Sequence, residues 1–128
     1  ARDAFDLIDR VSSGDTSGAL EVCAGLLEQG EAPQKVMGAL NWQYEVVARC
    51  VAARESRGRL SEREAASLLG VRPFVARKSL GIAARLDEEG LRRALASLLE
   101  ADRAIKRGRD ERWALESLAI ELSSRAAA

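Results

Sequence analysis

Histidine is missing from this chain altogether. Its absence removes Ser-His-Asp and Cys-His nucleophile systems and most zinc sites. No glycine is followed by lysine, so a GxxxxGK[ST] phosphate loop cannot occur, and G-x-G-x-x-G and G-x-S-x-G are absent as well. Cysteine is limited to Cys23 and Cys50, too far apart for a C-x-x-C motif. Each lies in an apolar helical stretch, which predicts reduced thiols used as small hydrophobes in a cytoplasmic protein. No apolar run approaches membrane-spanning length and no signal peptide is visible, so no membrane partner is expected. Acidic residues are plentiful, but they fall on solvated helix faces or near caps. Nothing singles out a carboxylate pair for acid–base chemistry. The chain is expected to be no enzyme and to need no cofactor and no metal.

What remains is helix-forming material. Of 128 residues, 47% are apolar and 31% charged, and only 4% are aromatic. Alanine and leucine dominate, and both favour helix. Sustained strand alternation, internal repeats and flexible linkers are all lacking. The expectation is an all-α bundle of about six to seven helices, with residues 1–128 as a single helical domain. The chain opens at Ala1 rather than methionine, which predicts a portion of a longer protein.

Net charge is zero but unevenly spread. Residues 1–34 carry seven acids and two bases, whereas residues 72–85 carry Arg72, Arg77, Lys78 and Arg85 and no acid. A neutral dipolar molecule is poorly suited to coating nucleic acid and well suited to docking between unlike faces.

Caps and periodicity place the helices. Residues 4–13 form a short helix with Phe5, Leu7, Ile8 and Val11 inward, stopped by Gly14. Asp15 or Thr16 caps a second, with Leu20, Cys23, Leu26 and Leu27 on one stripe, ending at Gly30. Pro33 opens a long third helix to about residue 56, whose stripe is Val36/Met37, Leu40, Tyr44, Val47 and Val51. Trp42 and Val46 fall off that stripe and form a candidate interface patch. Ser61 and Glu64 make a capping box for a short helix ended by Gly70. Pro73 opens the helix 73–85, Asp87 caps 88–107, and Asp110 caps 111–124. In the last helix Leu115, Leu118, Ala119 and Leu122 make one stripe. Trp113 and Ile120, seven residues apart, make a second candidate interface.

The stretch LSEREAASLLGVRPFVARKSL (Leu60–Leu80) has the form of a helix-turn-helix. Ala66 precedes Gly70 by four residues, Leu68 and Leu69 supply core contacts, and the second helix is basic. Arg72, Arg77, Lys78 and Arg85 are therefore nucleic-acid candidates. Base readout, however, needs donors and acceptors in the first turns of the second helix. Pro73, Phe74 and Val75 stand there, and they fit a helix start and a hydrophobic plug better than a reading head. In helix 88–107, Leu91, Leu95, Leu98, Asp102 and Ile105 are spaced by four, three, four and three, which puts Asp102 on the apolar face. A buried carboxylate needs a partner. Lys106 one turn on, or Arg77 or Lys78 from helix 73–85, is the expected one, and the latter pairing would staple the last two helices to helix 73–85; the alternative is an edge position with Asp102 half solvated.

A resemblance gathers these segments. GVRPFVARK (Gly70–Lys78), followed by EADRAIKRG (Glu100–Gly108), resembles the C-terminal domain of the bacterial DNA polymerase III delta subunit. That family carries G-V-x-P-[FY]-V-A-[RK]-K and then A-D-x-x-[IL]-K-x-G. Arg72 stands where the family often has histidine. FDLIDRVSSGDTSGAL, LLEQGEAP and the closing LE-x-L helix are similar too, in the same order along nearly the whole chain. The resemblance implies a helical collar module of a clamp loader. It packs beside the equivalent domains of the tau/gamma and delta-prime subunits, while a missing N-terminal domain grips the sliding clamp and other subunits bind ATP. Primed DNA would be an indirect partner. The alternative is a helix-turn-helix DNA-binding regulator.

Overall fold

Ala32 has no side chain able to cap a helix, yet a helix of 25 residues starts beside it. Pro33 at the first helical position explains this. Its φ is preset and its missing N–H is one that no helix start can satisfy internally. The computed structural model describes residues 2–126, with side chains up to residue 124, and all of the regular structure among them is helical. The elements are α1 (Ala4–Ser12), α2 (Thr16–Glu28), α3 (Pro33–Arg57), α4 (Glu62–Leu69), α5 (Pro73–Arg85), α6 (Glu88–Lys106) and α7 (Glu111–Ala126).

The caps are made as the sequence predicts. The Ser61 side chain accepts from the Glu64 N–H while Glu64 accepts from the Ser61 N–H, closing a capping box. These bonds hold the Glu64 carboxyl below its ordinary range, the backbone N–H of Ser61 contributing most. Asp87 accepts from the Gly90 N–H at 2.6 Å and Asp110 from the Trp113 N–H at 3.0 Å. A further capping box, absent from the sequence-based expectation, opens α1, with Asp3 and Asp6 as its two members. Gly70 ends α4 at φ 69°, a left-handed conformation that a side chain would strain, and the Val71 N–H reaches back to the Ala66 carbonyl.

Helix α3 is the axis, about 37 Å long at 1.5 Å per residue. Helices α1, α6 and α7 pack along it, α2 lies over α1 and α7, and α5 packs on its other side and carries α4. Leu26, Met37, Leu40, Tyr44, Ile105, Leu115, Leu118 and Leu122 are almost completely enclosed in one cluster. A smaller cluster of Ala65, Ala66 and Ala76 holds α4 against α5. No helix among the described residues is long and apolar enough to cross a membrane.

Several inward assignments need correction. Phe5 is 48% exposed and Phe74 52%, so neither is a core residue or a plug, and Leu68 and Leu95 are also on the surface. On α1 the buried face is filled by Leu7, Ile8 and Val11, with Phe5 beside it; for Phe74, Leu68 and Leu95 the reason is alanine. On α6 the buried line is Ala94, Leu98, Ala101 and Ile105, rotated from the line drawn through the large residues. Small side chains let helices approach closely and claim the contact face, which displaces larger ones to the flank.

Candidate protein interface

The outer face of α7 is built by its cap. Asp110 fixes the first turn, and the helical repeat then puts Ala114, Leu115, Leu118, Ala119 and Leu122 into the core. Trp113 and Ile120 are left on the opposite side, 64% and 45% exposed. Between α6 and α7 runs a groove of about 400 Å³, floored by Ala101, Ala104 and Ala114 and walled by Glu100 and Trp113. Trp113 and Ile120 thus lie where the helical spacing puts them, on a surface that the rest of the described residues leave open.

The other predicted patch does not exist as drawn. Trp42 is 44% exposed, but Val46 is 2% exposed and belongs to the main core. With neighbours on several sides of α3, the residue one turn beyond Trp42 is already covered. Trp42 joins a different set: with Phe5, Val71, Arg72 and Phe74 it lines a shallow hollow of about 460 Å³. No local signal marks this set, because its members lie on separate helices and because Phe5 and Phe74 read as core.

The cations of α5 are mostly engaged. Lys78 is largely covered: its Nζ lies 2.6 Å from Asp9 Oδ1 and 5.4 Å from the ring centres of both Phe5 and Phe74. This wedges an ammonium between two aromatic faces, a favourable cation–π arrangement. Arg85 donates to the Ser12 carbonyl at 2.8 Å, tying the ends of α5 and α1. Arg77 lies over the Phe74 ring at 5.6 Å. Arg72 sits at the rim of the hollow.

Of the two readings of Asp102, the staple to α5 is not made and the edge position is. Asp102 pairs with Lys106 at 2.8 Å, one turn along its own helix, while Lys78 is spent on Asp9 and Arg77 on Phe74. The rotation of α6 toward its alanines leaves Asp102 at the edge of the core, so it never needs a distant cation. The ties between helices are other groups. Gln43 Nε2 donates to Ser79 Oγ at 2.8 Å with both side chains buried, and Thr16 Oγ1 and Ser123 Oγ share a hydrogen bond of 2.6 Å.

Both thiols are free and buried. Burial pushes Cys23 up to about 11, which leaves it an inert hydrophobe at neutral pH. Among the described residues no group of three or more His, Cys, Asp or Glu could hold a metal ion.

Comparison with known proteins accounts for this arrangement. Residues 1–122 match the family model described as DNA polymerase III delta subunit, C-terminal domain. The DNA polymerase III subunit delta of Bacillus subtilis is 27% identical over 122 residues, which are 94% of this chain and 35% of that protein. Among solved structures, the Bacillus subtilis DNA clamp loader delta protein (YqeN) superposes with a TM-score of 0.81 at 27% identity. It is covered over 36% of its length by 95% of this chain. The chain therefore spans about a third of the relatives it matches, and with the family pattern running through its helices from first to last, it belongs to the family of C-terminal domains of the DNA polymerase III delta subunit.

Proposed function

We propose that this chain is the assembly domain of a clamp-loader delta subunit, a collar module joining that subunit to the tau/gamma and delta-prime subunits. The assembled loader places the sliding clamp on primed DNA during replication. In this reading the clamp is gripped by a portion of the subunit outside this chain and ATP is bound by other subunits, in the cytoplasm. Residues 1–128 contribute structure and no catalytic step.

The observation that carries the reading is the outer face of α7 on a chain of this family. A tryptophan and an isoleucine two turns apart stand exposed beside an alanine-floored groove. Large exposed aromatics are favoured at the centres of contacts, and each such side chain contributes roughly 1.5–3 kcal/mol when sealed from water. In a ring each module meets two neighbours through different surfaces, so more than one apolar patch is expected.

The test is co-expression of the full-length parent subunit with tau/gamma and delta-prime, followed by size-exclusion chromatography. Wild type is expected to enter a stable complex. Trp113→Ala with Ile120→Ser is expected to weaken it at least tenfold while leaving the monomer folded. Wild type eluting alone would sink the reading.

A second reading rests on the hollow formed by Phe5, Trp42 and Phe74 beside Arg72 and Arg77. Aromatic faces among cations suit stacking of unpaired bases without sequence readout. It does not support a sequence-specific regulator, because Pro73 and Phe74 offer no hydrogen bonds to base edges. Binding of single-stranded DNA that is lost in Phe74→Ala and indifferent to sequence would support contact with primed DNA. Tight binding confined to one duplex sequence would favour the regulator.

A further inference from the structure

The charge asymmetry has a structural address. Residues 49–85 contain nine bases and three acids, against two and seven in residues 1–34. Many cations elsewhere are neutralised: Arg10 by Asp15, Arg92 and Arg93 by Glu89, Lys106 by Asp102, Arg112 by Glu116. Glu89 accepts from both Arg92 and Arg93, and these bonds, Arg92's first, hold its carboxyl down to about 2. Two stretches differ: Arg103, Arg107 and Arg109 around the end of α6, and the end of α3. Arg57, Arg59 and Arg63 are exposed, and none makes an ion pair or side-chain hydrogen bond among the described residues. Three uncompensated guanidinium groups within seven residues repel one another, and the fold retains them without a carboxylate paired to any.

Apolar surface lies in the middle of this charge. Arg57, Leu60, Arg63, Ser67 and Leu68 line an open hollow of about 650 Å³, with Leu68 40% exposed on the outer side of α4. Glu64, at its edge, is already committed to the Ser61 cap. We propose that this face, made by the last turn of α3, the α3–α4 connection and the outer side of α4, docks an acidic helix of a neighbouring clamp-loader subunit. An aliphatic side chain of that helix seats against Leu68, and carboxylates one turn to either side meet Arg57, Arg59 and Arg63. The inference rests on the assembly reading above and adds a second, electrostatic contact to the apolar one on α7. A protein partner is favoured over nucleic acid because two leucines and no aromatic ring are among the residues lining the hollow, which offers an aliphatic seat and no stacking surface.

The experiment uses the full-length parent subunit and the purified tau/gamma and delta-prime subunits, with affinity measured at 50 and 300 mM salt. Arg57→Glu, Arg59→Glu and Arg63→Glu together are expected to weaken association at least tenfold at low salt and to flatten its salt dependence. Leu68→Asp alone is expected to weaken it at both salts, since it removes the apolar seat. Circular dichroism checks that each variant is folded, and Arg63→Glu alone serves if the triple change is not. Folded variants that assemble as tightly as wild type overturn the proposal and leave the assembly reading standing. Wild type that fails to assemble overturns both. Folded variants that assemble normally but lose binding to a DNA duplex assign the face to nucleic acid and overturn the proposal.

Discussion

The body around α3 and the α4–α5 hairpin are packed with different materials. Where α1, α6 and α7 pack along α3, the enclosed residues include large Leu, Ile, Met and Tyr side chains. Where α5 carries α4, the enclosed residues are Ala65, Ala66 and Ala76, with Leu60, Val71 and Leu80 partly covering them. The first region obtains stability from buried area, roughly 25 cal/mol per Å² of apolar surface. The second buries little and relies on geometry: a capping box, a left-handed glycine and close helix approach. Such a hairpin opens before the body does, because local stability follows buried contact. Its large side chains are free to face outward, and Leu68 and Phe74 do so.

Cutting into the first region has the largest expected effect. Leu118 is 2% exposed among residues of several helices. Leu118→Ala is expected to cost about 3 kcal/mol, from lost transfer energy and the cavity left behind. Urea denaturation measures it, and a loss under about 1 kcal/mol would mean that the main core is far looser than its packing implies.

The junction between the regions comes next. Ser79→Ala strands the Gln43 amide in a dry site, with an expected cost of about 2 kcal/mol. Replacing both, with Gln43→Leu and Ser79→Ala, removes the orphaned group and is expected to recover most of the loss. If the double variant is no better than the single, the hydrogen bond is not what joins α3 to α5.

Within the hairpin, Gly70→Ala places a side chain at φ 69° and is expected to cost about 1–2 kcal/mol. Open space surrounds the position, so the cost is backbone strain rather than collision. Hydrogen exchange locates it: protection is expected to fall across α4 and the start of α5 while α2 and α7 are unchanged. An equal fall everywhere would show that the hairpin and the body unfold as one unit.

The same contrast explains what can be read from the sequence. Helix positions are legible, because caps and breakers are local signals: Ser61 with Glu64, Gly70, Pro73 and Asp87 all act where they stand. The face of α7 is legible because Leu115, Leu118 and Leu122 do the packing there, whereas on α2 Ala19 and Val22 join Cys23 and Leu26 in the core and leave Leu20 and Leu27 half-buried. The faces of α1, α5 and α6 are harder to read. Counting Leu and Phe as inward is a rule about area, and it fails where alanines set the contact. Phe74 and Leu95 are misplaced by it for that reason, while Phe5 lies beside a face that Leu7, Ile8 and Val11 already fill. The basic patch at the end of α3 is visible residue by residue, but its lack of ion-pair partners among the described residues is a property of the fold. On α7, Trp113 and Ile120 are legible as a second stripe because one stripe already suffices for the core.

The smallest expected effect tests the boundary between those two kinds of reading. Asp102 sits at the heptad-like spacing of a core residue, which makes it look costly and in need of a partner across an interface. In the fold it is a half-buried edge residue whose Lys106 partner is 71% exposed. An ion pair of this kind, one turn apart on a wet helix face, contributes about 0.3–0.5 kcal/mol and fades with salt. Asp102→Ala is therefore expected to change stability by less than about 0.5 kcal/mol, with alanine's better helix propensity offsetting part of the loss. A melting temperature measured in low salt and again in about 0.5 M salt separates the contributions, since only the pair responds to screening. A loss of about 2 kcal/mol or more would mean that Asp102 carries a buried burden after all, and that α6 packs on the line of its leucines rather than on the line of its alanines.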